Sequence, residues 1–513
     1  MTSTQSDYCR RALRPCFPRV ARTFCTVFLF GIVRLNAVTP GPAVPPGPAV
    51  PPGPTVTVVD IIPESLSGET NTNSEPNLAV NPANPSQIAA SAYLPEPMGG
   101  KMSSILISTD GGITWSCRST VPIDKLSCDI TLRFGGLNML YLAALSDPAP
   151  NGEYKFVICR SSQLANQRMD DSPLRQSDSG IDQPYIAAAT ITPTDKVFVG
   201  ANDWYGPPGR TATVVRSLDG RGNSPSSNYT PVTIEFASPP PLRDDPEIRP
   251  AISGDGRKVY GVFNRLISIN VDSRVGDVIV VRDDNGGNSG PATFTALPDQ
   301  NGVAGLPVIK ARTFLFDRLL GRDRLGGDLA IAVDPRNADT VYLVWAELLQ
   351  NQPALHVIRS TDGGQQWSSP PLHTVRNAKN PGLAMNNTGT LAFLYQQVVT
   401  DPGGAETWVT QVELTKDDFR SANPPLILSK FPTAELASIS GQPRLGDYLH
   451  LMAVGDVFYG IFSASNVPDL SRFPSGVTFQ RHNNSATKKL RDQKDHKDVN
   501  PSVDPFFFKI TGG

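Results

Sequence analysis

A strand-like unit recurs along this chain, and its repetition constrains the fold more than any other feature of the sequence. Each copy has a polar residue, a run of alternating apolar residues, a turn of Gly, Asn or Asp, and a second β-rich run, as in RPAISGDGRKVYGVFN at residues 249–264. Two such runs around a tight turn predict a β-hairpin. The seven copies begin at Glu75, Asp129, Gln183, Arg249, Asp328, Asn380 and Gly446.

A second element follows most copies at a similar distance and predicts a second hairpin in each unit. Residues 108–115 read STDGGITW and residues 360–367 read STDGGQQW, while 215–220 and 281–287 are shorter or altered forms. Two hairpins give a four-stranded antiparallel sheet, and a series of such sheets is typical of a β-propeller. We expect an all-β chain with seven blades, or six if the copy at Asp129 belongs to an elaborated first blade. Residues 55–61 or the C-terminal 504–511 could complete a blade and close the ring.

The composition agrees with this prediction and excludes other classes of protein. The 513 residues include 43 Gly and 48 Pro, and only 18% are charged, against about 25% in typical proteins. A coiled coil or helical bundle would need more charges and fewer turn residues. The net charge is −2, and the segment after residue 37 is more acidic, because six Arg precede it. Nucleic-acid binding is therefore not expected, since it requires clustered Lys and Arg.

The N-terminal segment predicts export from the cell. Basic residues lead into an apolar run at 24–33, which is typical of a secretory signal and too short to span a ~30 Å hydrocarbon core. The hexamer GPAVPP then occurs twice from residue 41. We expect a signal peptide at 1–37, a Pro-rich spacer at 38–54 and a propeller at 55–513. The protein would be secreted or extracellular, or held at the cell envelope, without a membrane span.

The second element also indicates a family. The pattern S-x-D-x-G-x-T-W is complete at residues 108–115 and departs only at Gln366 in the copy at 360–367. It resembles the Asp-box, or bacterial neuraminidase repeat, of the sialidase superfamily. An Asp that accepts backbone N–H bonds fixes a tight turn, and a Trp packs between blades. Asp110 and Asp362 are therefore expected to stabilise the fold and to take no part in catalysis.

A propeller binds ligands where its innermost strands begin, at the mouth of a central channel. The aligned first residues of the seven copies would bring acids, amides and Arg to that mouth, and this predicts a binding site. A second interpretation is that these polar groups only solvate the channel and cap strand ends. The candidate residues are Glu75, Asp129, Asp182, Gln183, Arg249, Asp328, Asn380, Arg444, Asp447 and Tyr448.

The resemblance to sialidases implies roles for some of these residues. Sialidases bind the sialate carboxylate with three Arg, attack with a Tyr activated by a Glu, and use an Asp as acid and base. Carried over, Arg249 and Arg444 could bind the carboxylate. Asp328, Asn380 and Asp447 are further substrate-binding candidates because of their place in or beside the aligned column. Tyr448 could be the nucleophile with Glu75 or Glu247, and Asp129 or Asp182 the acid.

The sequence also departs from the family pattern. The Arg-Ile-Pro motif that precedes the first box in sialidases is not found. A third Arg at the channel is not evident either, because Arg133 falls within a predicted strand. His450 is expected to be a core residue. We expect no cofactor and no metal site. Two functions follow: a sialidase-like hydrolase of terminal sugars on a glycan or glycoconjugate, or a non-catalytic propeller that binds a glycan or a protein partner.

Overall fold

The structure is a computed structural model, and most of the predicted propeller can be described. The predicted signal peptide at 1–37, and the spacer at 38–54 except for its last two residues, lie outside the described part. The described residues are 53–92, 104–120, 128–146, 155–162, 175–176, 181–203, 211–222, 229–236, 248–269, 273–315, 328–436 and 444–512.

Almost all regular structure in these residues is β-strand, and seven sheets have four or five strands. The prediction of an all-β chain built from four-stranded antiparallel sheets is confirmed. The first strands of the seven sheets, in chain order, are β2 (Asn77–Val80), β6 (Cys128–Phe134), β10 (Ile181–Ile191), β14 (Arg249–Ile252), β18 (Leu329–Asp334), β22 (Ala378–Met385) and β26 (His450–Val454). The second strands are β3 (Ile88–Ser91), β7 (Leu140–Ser146), β11 (Thr194–Asp203), β15 (Val259–Ile269), β19 (Asn337–Leu349), β23 (Leu391–Thr400) and β27 (Val457–Ser465).

Each of the first six sheets continues outward with two more strands. The third strands are β4 (Ser104–Ser108), β8 (Lys155–Ser161), β12 (Thr211–Ser217), β16 (Ser273–Asp283), β20 (Gln352–Ser360) and β24 (Glu406–Thr415). The fourth strands are β5 (Ser116–Thr120), β9 (Arg175–Gln176), β13 (Thr230–Phe236), β17 (Leu306–Leu315), β21 (His373–Arg376) and β25 (Leu426–Pro432).

The seventh sheet combines strands from both ends of the described chain. Beyond β27 it contains β32 (Val503–Thr511), β1 (Thr55–Asp60) and β28 (Thr478–Phe479). Both segments that the sequence offered for closing the ring are therefore used together. The small β29 (Asn483–Asn484), β30 (Lys489–Arg491) and β31 (Asp498–Val499) form a separate sheet. Short 3₁₀ turns cover Glu64–Leu66, Gly290–Ala292, Thr433–Glu435 and Leu470–Arg472.

The first strands of the seven sheets form a closed ring. Each first strand contacts the first strand of the next sheet, and β26 of the seventh sheet contacts β2 of the first. A series of antiparallel sheets closed in this way is the construction of a β-propeller. The apolar core lies mainly between successive sheets, as where Ala79 of β2 packs with Leu132 of β6. In the described residues no helix is long and apolar enough to cross a membrane.

The two segments that resemble an Asp-box, residues 108–115 and 360–367, join third strands to fourth strands, and their Asp side chains accept backbone N–H bonds as predicted. Asp110 Oδ1 accepts from the backbone N–H of Ile113 and Thr114 at 3.1 and 2.9 Å. The Trp115 ring packs against Phe507 of the seventh sheet, with ring centres 5.4 Å apart. In the box at residues 360–367, Asp362 Oδ1 accepts from the backbone N–H of Gln365 and Gln366, and Ser360 Oγ accepts from that of Gly364. These residues stabilise turns and contacts between sheets, as expected.

A further turn of this type escaped detection in the sequence. Between β24 and β25, Thr415 Oγ1 accepts from the N–H of Phe419 at 2.8 Å, and Asp417 Oδ2 accepts from that of Ser421 at 3.0 Å. Phe419 has a φ of +62° in the place where the other boxes have Gly. The pattern was missed because the turn needs the left-handed conformation, which Gly adopts most easily but which other residues can also adopt.

A buried group of charges lies where the seventh sheet closes. Arg481 is 1% exposed and donates to Asp504 Oδ2 at 2.8 Å and to Glu69 Oε1 at 3.1 Å. Asp60 of β1 is fully buried beside Asp504. Burial and the charge of Asp504 raise the pKa of Glu69 to about 7, although Arg481 opposes the shift. One guanidinium thus offsets the charge of three carboxyl groups, and the carboxyl groups of the cluster keep part of their protons near neutral pH.

The charge cluster predicts a dependence of stability on pH. The pKa of Glu69 is about 7 in the folded chain, against a reference value of 4.5. The folded chain therefore binds this proton more tightly than the unfolded chain does. The contribution of this group to the free energy of unfolding is therefore fully present below pH 4.5. It falls by on the order of 3 kcal/mol as the pH rises through 7. Denaturant unfolding from pH 4.5 to 8 should show this fall, and Glu69→Gln should flatten it. Glu406→Gln, at an exposed site, is the control and should leave the slope unchanged. If Glu69→Gln had the same slope as the unsubstituted protein, the assignment to Glu69 would be contradicted.

The Asp-box predicts a purely structural effect of mutation. Asp110→Ala removes an acceptor for two backbone N–H groups and the Thr114 hydroxyl, and should lower the free energy of unfolding by about 1–2 kcal/mol. Asp456→Ala, in an exposed turn, is the control and should have little effect. Thermal unfolding measures both. Ligand binding or turnover that falls in Asp110→Ala, with stability unchanged, would contradict a structural role.

Candidate functional site

The first residue of several repeats has an unusual backbone conformation. Positive φ values occur at Glu75 (56°), Asp129 (48°), Gln183 (49°), Asn380 (52°) and Gly446 (79°). At three of these positions the pairing with the second strand shifts in register, between residues 128 and 131, 182 and 185, and 379 and 382. A β-bulge of this kind redirects a side chain from the regular ladder, at a cost on the order of 1 kcal/mol for a non-Gly residue. The same bulge therefore recurs where first strands begin.

Two of the predicted catalytic residues meet across the ring. Tyr448, just before β26, donates from its hydroxyl to Asp129 Oδ1 at 2.8 Å. Tyr448 belongs to the seventh sheet and Asp129 to the second, with β2 of the first sheet between them in the ring. A contact that passes over an intervening sheet must cross the interior of the ring. Both side chains are half-buried.

A group of cationic and aromatic side chains lies further along the same strands. Arg133 Nη2 is hydrogen-bonded to His450 Nε2, again from the second sheet to the seventh. The guanidinium carbons of Arg133 and Arg249 lie 5.8 and 5.0 Å from the centre of the Tyr185 ring. His450 and Tyr185 meet edge to face, with ring centres 6.4 Å apart. Four sheets thus contribute to one compact group.

This group carries positive charge. Burial lowers the pKa of His450 well below its usual value, and the charges of Arg133 and Arg249 lower it further, so the imidazole is neutral. Burial also lowers the pKa of Arg133, but an Arg remains charged in proteins. Arg133 donates to the carbonyls of Leu78 and Leu132, is hydrogen-bonded to the imidazole, and also interacts with the Tyr185 side chain. Two guanidinium groups beside a neutral imidazole are suited to bind an anion.

A chain of hydrogen bonds joins the remaining candidates. Asp447 N donates to Glu75 Oε1 at 3.3 Å. The Gly446 carbonyl accepts from Asn380 Nδ2 and from Lys379 Nζ, each at 3.2 Å. Asn380 N in turn donates to Asp328 Oδ1 at 2.8 Å. The starts of the fifth, sixth, seventh and first repeats are thereby linked through their polar side chains.

The structure brings most of the predicted residues together and separates one. Arg444 donates to the Thr433 carbonyl at 3.3 Å and lines a different cavity. Asp182 lies on β10, and its side chain is outside the described part, as is Glu247. Within the described residues no group of three or more His, Cys, Asp and Glu side chains is placed to hold a metal ion.

Sequence reasoning missed Arg133 and Lys379. It expected His450 to be a core residue, and His450 is buried, at 1% exposure, but it also contacts Arg133 of another sheet. Arg133 was set aside because it lies within a strand, yet the first strand of each sheet lines the ring. Arg133 and His450 each lie four residues after the first residue of their repeat, Asp129 and Gly446. That shared offset is the signal that could have found both.

No family model and no curated protein matches the chain. Among solved structures, the α-L-arabinofuranosidase Arb93A from Fusarium graminearum is similar at 12% identity, over 70% of this chain and 97% of its own, with a TM-score of 0.40. The phage phi92 endosialidase is similar at 11% identity, over 89% and 69%, with a TM-score of 0.39. The GH74 enzyme from Niastella koreensis is similar at 11% identity, over 80% and 70%, with a TM-score of 0.35.

The charges of Arg133 and Arg249 make the pKa of His450 a test of this group. Arg133→Gln removes one of the two charges that hold its pKa down, so the pKa should rise, while remaining below the usual value because burial is the larger cause. An NMR titration of protein labelled at histidine Cε1 measures this for the five His. Arg420→Gln, at an exposed site in the outer part of the sixth sheet, is the control. A pKa of His450 that does not move in Arg133→Gln would contradict the contact.

Proposed function

We propose that the chain is a secreted, seven-bladed β-propeller that acts as a sialidase-like glycoside hydrolase on terminal sugars bearing a carboxylate. The seven sheets described above are the seven blades, and the substrate lies in the axial pocket at the start of their first strands. The observation that carries the proposal is the hydrogen bond from the Tyr448 hydroxyl to Asp129, beside a positively charged group formed by four sheets.

Arg133 and Arg249 are proposed to bind the sugar carboxylate. Arg presents a planar pair of donors that matches a carboxylate, and a partly buried site strengthens the attraction. His450 is neutral and accepts from Arg133, so it orients this guanidinium without adding a charge. This pair takes the place of Arg249 and Arg444, the pair expected from the sequence, because Arg444 lines another cavity.

Tyr448 is proposed as the nucleophile. Asp129 accepts the phenol proton as the Tyr448 oxygen forms a bond to the anomeric carbon, and a neutral Tyr avoids repulsion by an anionic sugar. Glu75, in its protonated form, gives its proton to the departing glycosidic oxygen as the C–O bond breaks. A water molecule, deprotonated by Glu75, then releases the sugar from Tyr448, which recovers its proton from Asp129. The sequence had paired Tyr448 with a Glu and left Asp129 as the acid; the geometry favours the reverse.

The test is a panel of 4-methylumbelliferyl glycosides of N-acetylneuraminic acid, glucuronic acid, arabinofuranose and galactose. We expect release from an acidic glycoside only, and a loss of at least 100-fold in kcat/KM for Tyr448→Phe and for Arg249→Ala. Tyr342→Phe is a matched control, since Tyr342 also donates to an Asp, Asp418, at 2.7 Å, but in the outer part of the fifth and sixth sheets. It should retain full activity.

Two results would contradict the hydrolase proposal. Turnover that survives in Tyr448→Phe would exclude the nucleophile. No turnover with any glycoside, together with binding of acidic glycans that Arg249→Ala abolishes, would favour the non-catalytic propeller that binds glycans.

A further inference from the structure

A second cavity lies close to the axial residues and uses the same two chain segments. Its volume is about 460 Å³, and its polar lining includes Thr70, Thr72, Glu435, Arg444 and Ser465. Thr70 and Thr72 precede Glu75 by a few residues, and Arg444 precedes Gly446 and Tyr448 in the same way. The hydrogen bond between Asp447 N and Glu75 Oε1 joins the two segments at 3.3 Å.

Strand direction places this cavity on the same side of the ring as the axial pocket. Because β27 is antiparallel to both β26 and β32, the start of β26, the end of β27 and the start of β32 share one end of the seventh sheet. Ser465, at the end of β27, pairs with Val503, at the start of β32, and both line the cavity. Tyr448 comes just before the start of β26. A ligand could therefore extend from one site to the other.

The described lining of the cavity has one cationic side chain, Arg444, one carboxylate, Glu435, and a set of hydroxyl groups. Glu435 is bound by both terminal nitrogens of Arg472, at 2.5 and 2.6 Å, and also accepts from Ser465 Oγ at 3.2 Å. The one hydrogen bond described for Arg444, to the Thr433 carbonyl, uses one of its five N–H donors. Glu435 is thus paired with Arg472, and Arg444 is the cationic side chain of the described lining. Hydroxyl groups and a charged Arg are suited to a sugar that carries an anion.

We propose that this cavity is a second subsite, which binds the next residue of an acidic oligosaccharide through its anionic group and Arg444. The inference rests on the proposed function, because the first sugar occupies the axial pocket. The volume is in the range of small-ligand sites. The protein would then act on chains of acidic sugars in preference to single terminal residues, a preference that the axial pocket alone does not provide.

The experiment compares N-acetylneuraminic acid with its α2,8-linked dimer and trimer by isothermal titration calorimetry, using the full chain carrying Tyr448→Phe to prevent turnover. We expect the dimer or trimer to bind at least tenfold more tightly than the monomer. Adding Arg444→Gln should reduce this ratio towards one, and Arg444→Lys, which keeps the charge but loses the planar pair of donors, should give an intermediate ratio. Arg420→Gln is the control, and should leave the ratio unchanged.

Each outcome is decisive for one of the two proposals. Monomer binding with no gain for the dimer or trimer, or a gain that survives Arg444→Gln, overturns the second subsite and leaves the axial pocket standing. If none of the three sugars binds, the axial pocket for a carboxylated sugar fails and the subsite fails with it. Thermal unfolding of each variant shows whether a loss of binding reflects unfolding, and Arg444→Lys supplies the result if Arg444→Gln does not fold.

Discussion

The pairing of β1 with β32 is the constraint on which the rest of the structure depends. It runs from Thr55 paired with Thr511 to Asp60 paired with Phe506, and so joins the two ends of the described chain within one sheet. A ring of sheets needs such a closure, because otherwise the first and last sheets would each expose an apolar face. The buried contacts of Arg481 with Glu69 and Asp504 lie at this closure and tie further segments to it.

Closure explains why polar residues that are far apart in the sequence meet. Once the seven first strands form a ring, their starting residues lie at one end of it, and the recurrent left-handed bulge redirects their side chains. Contacts can then pass over an intervening sheet, as from Tyr448 to Asp129 and from His450 to Arg133. His450 adds no further positive charge there, because burial and the charges of Arg133 and Arg249 hold its pKa well below the usual value.

Much of the fold could be predicted because its signals are local. A hairpin or an Asp-box is formed by residues within about ten positions of one another, and the alternation of apolar residues and the turn residues record it directly. The box at Thr415 was missed because Phe419 takes the conformation that Gly usually signals. Arg133 was excluded as a site residue for another reason. Its place in a strand was predicted correctly, but the side chains that it meets come from other sheets and could not be found by a local pattern.

The sequence by itself determined the repeat, the strands, the structural role of Asp110 and the column of polar residues that begins each copy. Only the tertiary structure decided which members of that column bind one another, because this depends on how many sheets close the ring and where each bulge falls. Tyr448 and Asp129 are 319 residues apart, and Arg133 and His450 are 317 apart. No local interaction relates residues at such separations, so their contact is a property of the closed ring.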